Sequence, residues 1–205
     1  LAGLLGVTAT GDAFNVFVFL EISSLSTYTL VALGADADRR ALPAAYNYLV
    51  MGTVGATFFV IGLGLMYMVT GTLNMADLAA RLPELGANRT VDAAFAFIVV
   101  GLGLKLAMFP MHVWLPNAYT YAPSVVTAFL AATATKVAVY VLLRFVFTVF
   151  GTGFEFAALT LTWVLIPLAL AAMFVATIAA IYQVNVKRLL AFSSVAQLGY
   201  MVLGI

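Results

Sequence analysis

Apolar runs of about 20 residues recur along this chain, and a run of that length is what an α-helix needs to cross a bilayer. Within hydrocarbon every backbone N–H and C=O must be satisfied inside the segment, so a chain of such runs folds as packed transmembrane helices. Composition agrees: 65% of the 205 residues are hydrophobic and 8% are charged, against about 25% charged in soluble domains. The fold class is therefore all-α, a polytopic transmembrane helical bundle.

Residues 1–10 read as the tail of one span, and the stretch TGD marks a turn at 10–12. Further spans cover about 12–33, 44–69, 124–150 and 156–182, and another opens near Lys187. Between 70 and 92 lies a polar connection in which Met75, Leu78, Leu82 and Leu85 have the spacing of a short interfacial helix. The hydrophobic stretch that begins near Val91 contains Pro110 and Pro116, which predict a discontinuous helix. The chain reads as an internal piece of a longer membrane protein.

Lysine and arginine placement sets the orientation. Arg39 and Arg40 occupy one short loop, and Lys187 and Arg188 another, an even number of crossings later. Both loops are expected on the cytoplasmic side, with the 70–92 connection outside. A net charge of +1 names no nucleic-acid partner. The absence of cysteine and the single histidine exclude iron–sulfur ligation by this chain and argue against zinc, so no cofactor or metal is expected.

Four ionisable residues lie inside apolar spans, where each costs about 2.5–3.5 kcal/mol on insertion scales and so points to function. They are Glu21, Lys105, Lys136 and Arg144. Glu21 is near the middle of 12–33, and Lys136 near the middle of 124–150. If the proline-containing stretch crosses as two half-helices over 91–119, Lys105 sits at its centre. Three groups then share one depth beside a broken helix, the arrangement of ion-transporting folds. A lysine beside a carboxylate holds or releases a proton as that carboxylate approaches or withdraws. Glu21, Lys105 and Lys136 are thus the candidate proton relay. Arg144 does not deprotonate and is expected to reach the outer surface or to anchor a carbonyl. His112, near the break, is a secondary relay candidate or a structural group. The competing reading of each intramembrane charge is a structural ion pair.

Three stretches, GDAFNVFVFLEISSLSTYTLV (11–31), LKLAMFPMHVWLPNAYTYAPSVVTAFLAATATKVAVYVLLR (104–144) and NVKRLLAFSSVAQLGYM (185–201), resemble the antiporter-like membrane subunits. That family comprises proton-pumping subunits of respiratory complex I, large subunits of Mrp-type cation/proton antiporters, and relatives in membrane-bound hydrogenases. The resemblance implies the inverted-repeat fold with one discontinuous helix, in a subunit of about fourteen helices. It places a first five-helix repeat in 1–150 and the start of a second in 156–205, within one proton-conducting domain over 1–205. It maps the family's glutamate and two lysines onto Glu21, Lys105 and Lys136. It implies other membrane subunits as partners, protons as the transported ion with Na⁺ as a possible counter-ion, and a bacterial or archaeal cytoplasmic membrane. Asn117, Tyr119 and Asn185 depart from the family's usual acid, histidine and acid, and the first two incline the sequence toward the Mrp-like or hydrogenase-like branch. A non-conducting scaffold subunit is the alternative. The chain carries no redox centre, so any enzymatic activity belongs to an assembly. An organic-solute transporter would need a substrate pocket that nothing in the sequence suggests.

Overall fold

The computed structural model describes residues 1–86 and 88–205. Among the described residues ten α-helices follow one another: α1 (Ala2–Ala9), α2 (Ala13–Ala32), α3 (Ala41–Thr70), α4 (Met75–Arg81), α5 (Arg89–Lys105), α6 (Trp114–Tyr121), α7 (Ser124–Leu143), α8 (Glu155–Thr160), α9 (Ile166–Ile181) and α10 (Val186–Leu203). A π-helical turn, Arg144–Phe150, extends α7, and another, Leu161–Leu165, joins α8 to α9. Among the described residues four helical segments are long and apolar enough to cross a membrane unbroken: Ala13–Asp36, Ala41–Thr70, Ser124–Phe150 and Glu155–Ile181.

The fifth crossing is made in two pieces. The 17-residue α5 is about 25 Å long and the 8-residue α6 about 12 Å, at 1.5 Å per residue. Residues 106–113 between them are not helical, and Ala107 has φ +58°. Pro110 lies in this interruption, as expected. Pro116 does not break anything. It is the third residue of α6, inside the first turn, where a missing N–H leaves no helix bond unmade.

Connections fix the direction of each crossing. Asn74 caps α4 and forms an isolated bridge with Asp12, the cap of α2, with Ala13 N–H donating to the Leu73 carbonyl and Met75 N–H to that of Gly11. That end holds the start of α2 and the end of α3. At the opposite end, Arg40 lies over the Tyr121 ring at 4.9 Å, and Lys187 Nζ donates to the Ala122 carbonyl at 2.6 Å. The two basic loops therefore meet at one end of the bundle, as an even number of crossings requires.

Helix α4 differs from expectation in its surroundings. Met75, Leu78 and Leu82 are buried within the protein core rather than laid on a lipid interface. The short amphipathic helix caps the end of the bundle away from Arg40. Helices α3 and α5 approach closely where Gly55 meets Gly101: a Cβ built on Gly101 would lie 2.7 Å from the Gly55 carbonyl oxygen and from Phe59 N. Such small-residue contacts let transmembrane helices pack backbone to backbone. Outward faces carry apolar side chains such as Met68, Trp163 and Phe174, where lipid or protein replaces water.

Candidate functional site

The interruption after α5 gives Lys105 its place. It is the last residue of α5, where unpaired carbonyls make the helix end partly negative and favour a cation. Three of the freed carbonyls are accounted for locally. Leu106 N–H bonds to Leu102, Met108 N–H to Gly103, and the Trp114 indole N–H to Leu104 at 3.2 Å. Lys105 packs beside Gly55, the middle of the 30-residue α3, which puts it at mid-depth as counted from the sequence.

Lys105 Nζ donates to Glu21 Oε1 at 2.5 Å and to Ser24 Oγ at 2.8 Å. The lysine side chain is 9% exposed and the glutamate 24%. Two of the three ammonium donors are thus satisfied, and Lys105 lines a cavity of about 20 Å³, large enough for one water. Ser23, Ser24, Thr27, Tyr48 and Trp114 line it, together with Ala134 and Ala138 of α7. Breaking a buried ion pair by removing one partner costs about 3–5 kcal/mol, whereas forming it gains little net stability. The pair is therefore weak evidence for a purely stabilising role.

The interior is asymmetric about this pair. Toward the Arg40 end the buried side chains include Ser24, Thr27, Tyr28, Tyr48, Tyr119 and Thr120. Toward the α4 end they are mostly apolar, among them Leu20, Phe59, Leu63, Met66, Phe95 and Phe145, with Thr70 and Nη1 of Arg144 as the polar exceptions. Thr27 donates to the Ser24 carbonyl at 2.8 Å, so in the 3.3 Å contact between Thr27 and Tyr48 the tyrosine is the donor. Tyr48 stacks on Trp114 with ring centres 4.2 Å apart, and Tyr28 meets its edge at 4.6 Å. At the Arg40 end a second cavity, about 320 Å³, is lined by Asp36, Asp38, Arg40, Tyr121, Ser124 and Lys187.

The structure brings Glu21 and Lys105 together but not Lys136. Lys136 Nζ donates to the carbonyl of Ala131 on its own helix at 2.6 Å. Ala134 and Ala138 line the Lys105 cavity, so the Cα of Lys136 lies about 200° around α7, and its side chain turns back along the helix to the Ala131 carbonyl. His112 packs between Phe109 and Phe192, with Nδ1 buried and unpartnered. Arg144 anchors no carbonyl through Nη1, which is buried without an acceptor. Among the described residues no group of three or more His, Cys, Asp or Glu could hold a metal.

The same architecture is found in known proteins. The family model described as NADH:quinone oxidoreductase/Mrp antiporter, transmembrane, matches residues 10–205. The chain belongs to this family. An NADH-quinone oxidoreductase subunit of Desulforudis audaxviator is 50% identical over the whole chain, and an Na⁺/H⁺ antiporter subunit of Alkalihalophilus pseudofirmus 35%. The chain spans 40% of the length of each of these relatives. A chain of the membrane-bound sulfane sulfur reductase, an archaeal respiratory membrane complex, superposes with a TM-score of 0.90 at 36% identity, over 98% of this chain and 40% of that one. As a member of the NADH:quinone oxidoreductase/Mrp antiporter family, the chain is an integral, multi-pass membrane protein.

The chain is similar to both an oxidoreductase subunit and an antiporter subunit. Tyr119 is buried and donates to the Leu130 carbonyl at 3.2 Å. Asn185 caps α10, accepting from Lys187 and Arg188 N–H, a task asparagine and aspartate do equally well. Sequence reasoning missed Ser24, although it follows Glu21 by three residues and therefore shares its helix face.

Proposed function

We propose that the chain is the proton-conducting part of a membrane subunit in a complex I-like or Mrp-type assembly, with Glu21, Lys105 and Lys136 as its relay. The observation that carries this reading is the Glu21–Lys105 pair at mid-depth, at the end of a broken helix. A lysine held between a carboxylate and a hydroxyl keeps its proton while the pair is closed. Separation of Glu21 leaves an ammonium in an apolar setting, which favours release. The buried hydroxyls on the Arg40 side supply a polar approach, and the apolar α4 side opposes leakage. Lys136 takes the proton onward on the far face of α7. The driving force, redox chemistry or exchange against Na⁺, resides in partner subunits. Both kinds of assembly are represented among the relatives.

Lys105→Ala in the full-length protein, within its assembled complex, is expected to abolish proton translocation into proteoliposomes while assembly persists. Normal translocation by that variant overturns the proposal. A scaffold that transports nothing is the second reading, favoured by the bond of Lys136 to its own helix carbonyl. It predicts that loss of any of the three charges changes only complex stability on blue-native gels.

A further inference from the structure

If the Glu21–Lys105 pair opens and closes, as proposed above, something must hold Lys105 in register with α2 where its own helix stops. Lys105 closes α5, and residues 106–113 that follow are not helical. The last carbonyls of a helix lack partners within it, and in hydrocarbon they must find other donors. Leu106 and Met108 N–H take the Leu102 and Gly103 carbonyls, and Ala107 N–H reaches that of Leu104 at 3.3 Å. The Trp114 indole N–H joins it there at 3.2 Å. Of these bonds, only the last comes from across the interruption.

Trp114 is the first residue of α6, so its side chain ties the start of one half-helix to the end of the other. The bond falls on the carbonyl next to Lys105. The indole is itself fixed in place. Tyr48 of α3 lies flat against it, with ring planes 1° apart and centres 4.2 Å apart. Tyr48 is held in turn by its 3.3 Å bond to Thr27 of α2 and by the Tyr28 ring at 4.6 Å. Thr27 follows by three residues Ser24, which accepts from Lys105 Nζ, and so shares its helix face. A closed circuit therefore runs from α2 through Tyr48, Trp114 and Leu104 to Lys105, and back to α2 through Glu21 and Ser24. A purely apolar ring in place of the indole would fill the space beside Tyr48 but would not reach across the interruption to Leu104. The far end of α6 carries Tyr121, which lies beneath Arg40 and lines the cavity of about 320 Å³.

We propose that Trp114 is the positioning residue of Lys105. Its indole N–H holds the Leu104 carbonyl, and with it the end of α5, where Lys105 Nζ meets Glu21 and Ser24. A displacement of α6 is carried to the pair by that bond. Trp114 exchanges no proton itself.

The test uses the full-length protein in its assembled complex, reconstituted into proteoliposomes, with benzothienylalanine in place of Trp114. That side chain has the shape of tryptophan with sulfur where the N–H was, so it packs but does not donate. Proton translocation is expected to slow by about tenfold, the rate equivalent of losing one hydrogen bond, with the amount of complex unchanged. Trp114→Phe keeps an aromatic face and also lacks the donor, and is expected to slow translocation at least as much. In a structure of the benzothienylalanine protein, the contact of Lys105 with Glu21 or with Ser24 is expected to lengthen. Wild-type translocation by that protein, in a preparation where Lys105→Ala is inactive, overturns the positioning role and leaves the relay standing. Two unchanged contacts in its structure overturn the role as well. Normal translocation by Lys105→Ala overturns the relay and the role together.

Discussion

At the scale of single residues, the site consists of one ion pair and the hydroxyls around it. Ser24 contributes a hydrogen bond to a charged group, worth about 1.5–3 kcal/mol. Ser24→Ala is therefore expected to slow proton translocation by roughly tenfold or more while leaving the Glu21–Lys105 pair in place, as a structure of the variant would show. Unchanged translocation would remove Ser24 from the site. The loop at the Arg40 end titrates separately. The Arg40 guanidinium bonds to both oxygens of Asp38 and holds that carboxyl below its ordinary value of 3.8. A depressed carboxyl contributes above its unfolded pKa and loses that contribution only as pH falls through the folded value. Asp38 accordingly keeps its charge from about pH 5 to 8. Asp38→Asn is expected to leave the pH profile of transport in that range unchanged, and a shifted profile would contradict this. Glu21, Lys105 and Lys136 were legible in the sequence because each is a charge where charge is costly. Ser24 was not, since a hydroxyl in an apolar helix usually satisfies itself on its own backbone and leaves no signal.

At the scale of elements, the broken helix was legible from Pro110, but its position was not. The interruption starts directly after Lys105, five residues before that proline, and only the observed hydrogen bonds of the freed carbonyls locate it. The burial of α4 was equally hidden. The spacing of Met75, Leu78 and Leu82 gives an amphipathic face, and periodicity alone cannot say whether lipid or protein meets it. The glycines of α3 and α5 can be separated by experiment. Gly101→Ala drives a methyl group into the backbone of α3 and is expected to destabilise the protein by about 1–3 kcal/mol, the usual range for overpacking. Gly64, also on α3, has nothing within 4 Å of a built Cβ. Gly64→Ala is expected to leave stability unchanged or to raise it by roughly 0.5–1 kcal/mol. Thermal unfolding in detergent compares the two, and an equal Tm for both variants would contradict the packing described for α3 and α5.

At the scale of the whole molecule, the account rests on the two ends being different. One end gathers Arg40, Lys187 and a cavity lined by charges; the other is closed by α4 and apolar side chains. The positive-inside rule predicts the Arg40 end on the cytoplasmic side. The chain contains no cysteine, so single substitutions give clean reporters. Arg39→Cys, in an exposed loop, is expected to react with a membrane-impermeant maleimide only from the cytoplasmic side, and Glu84→Cys only from the outside. The reverse pattern would invert the assigned topology.

The central claim is that Lys105 must gain and lose a proton, beyond pairing with Glu21. Lys105→Arg separates these two roles, because guanidinium keeps its charge and its partner but does not deprotonate. Proton translocation by the assembled Lys105→Arg complex in proteoliposomes is the most direct measurement. The account predicts a fully assembled complex that translocates no protons. Translocation at the wild-type rate would contradict it and leave the Glu21–Lys105 pair as a structural tie between α2 and α5.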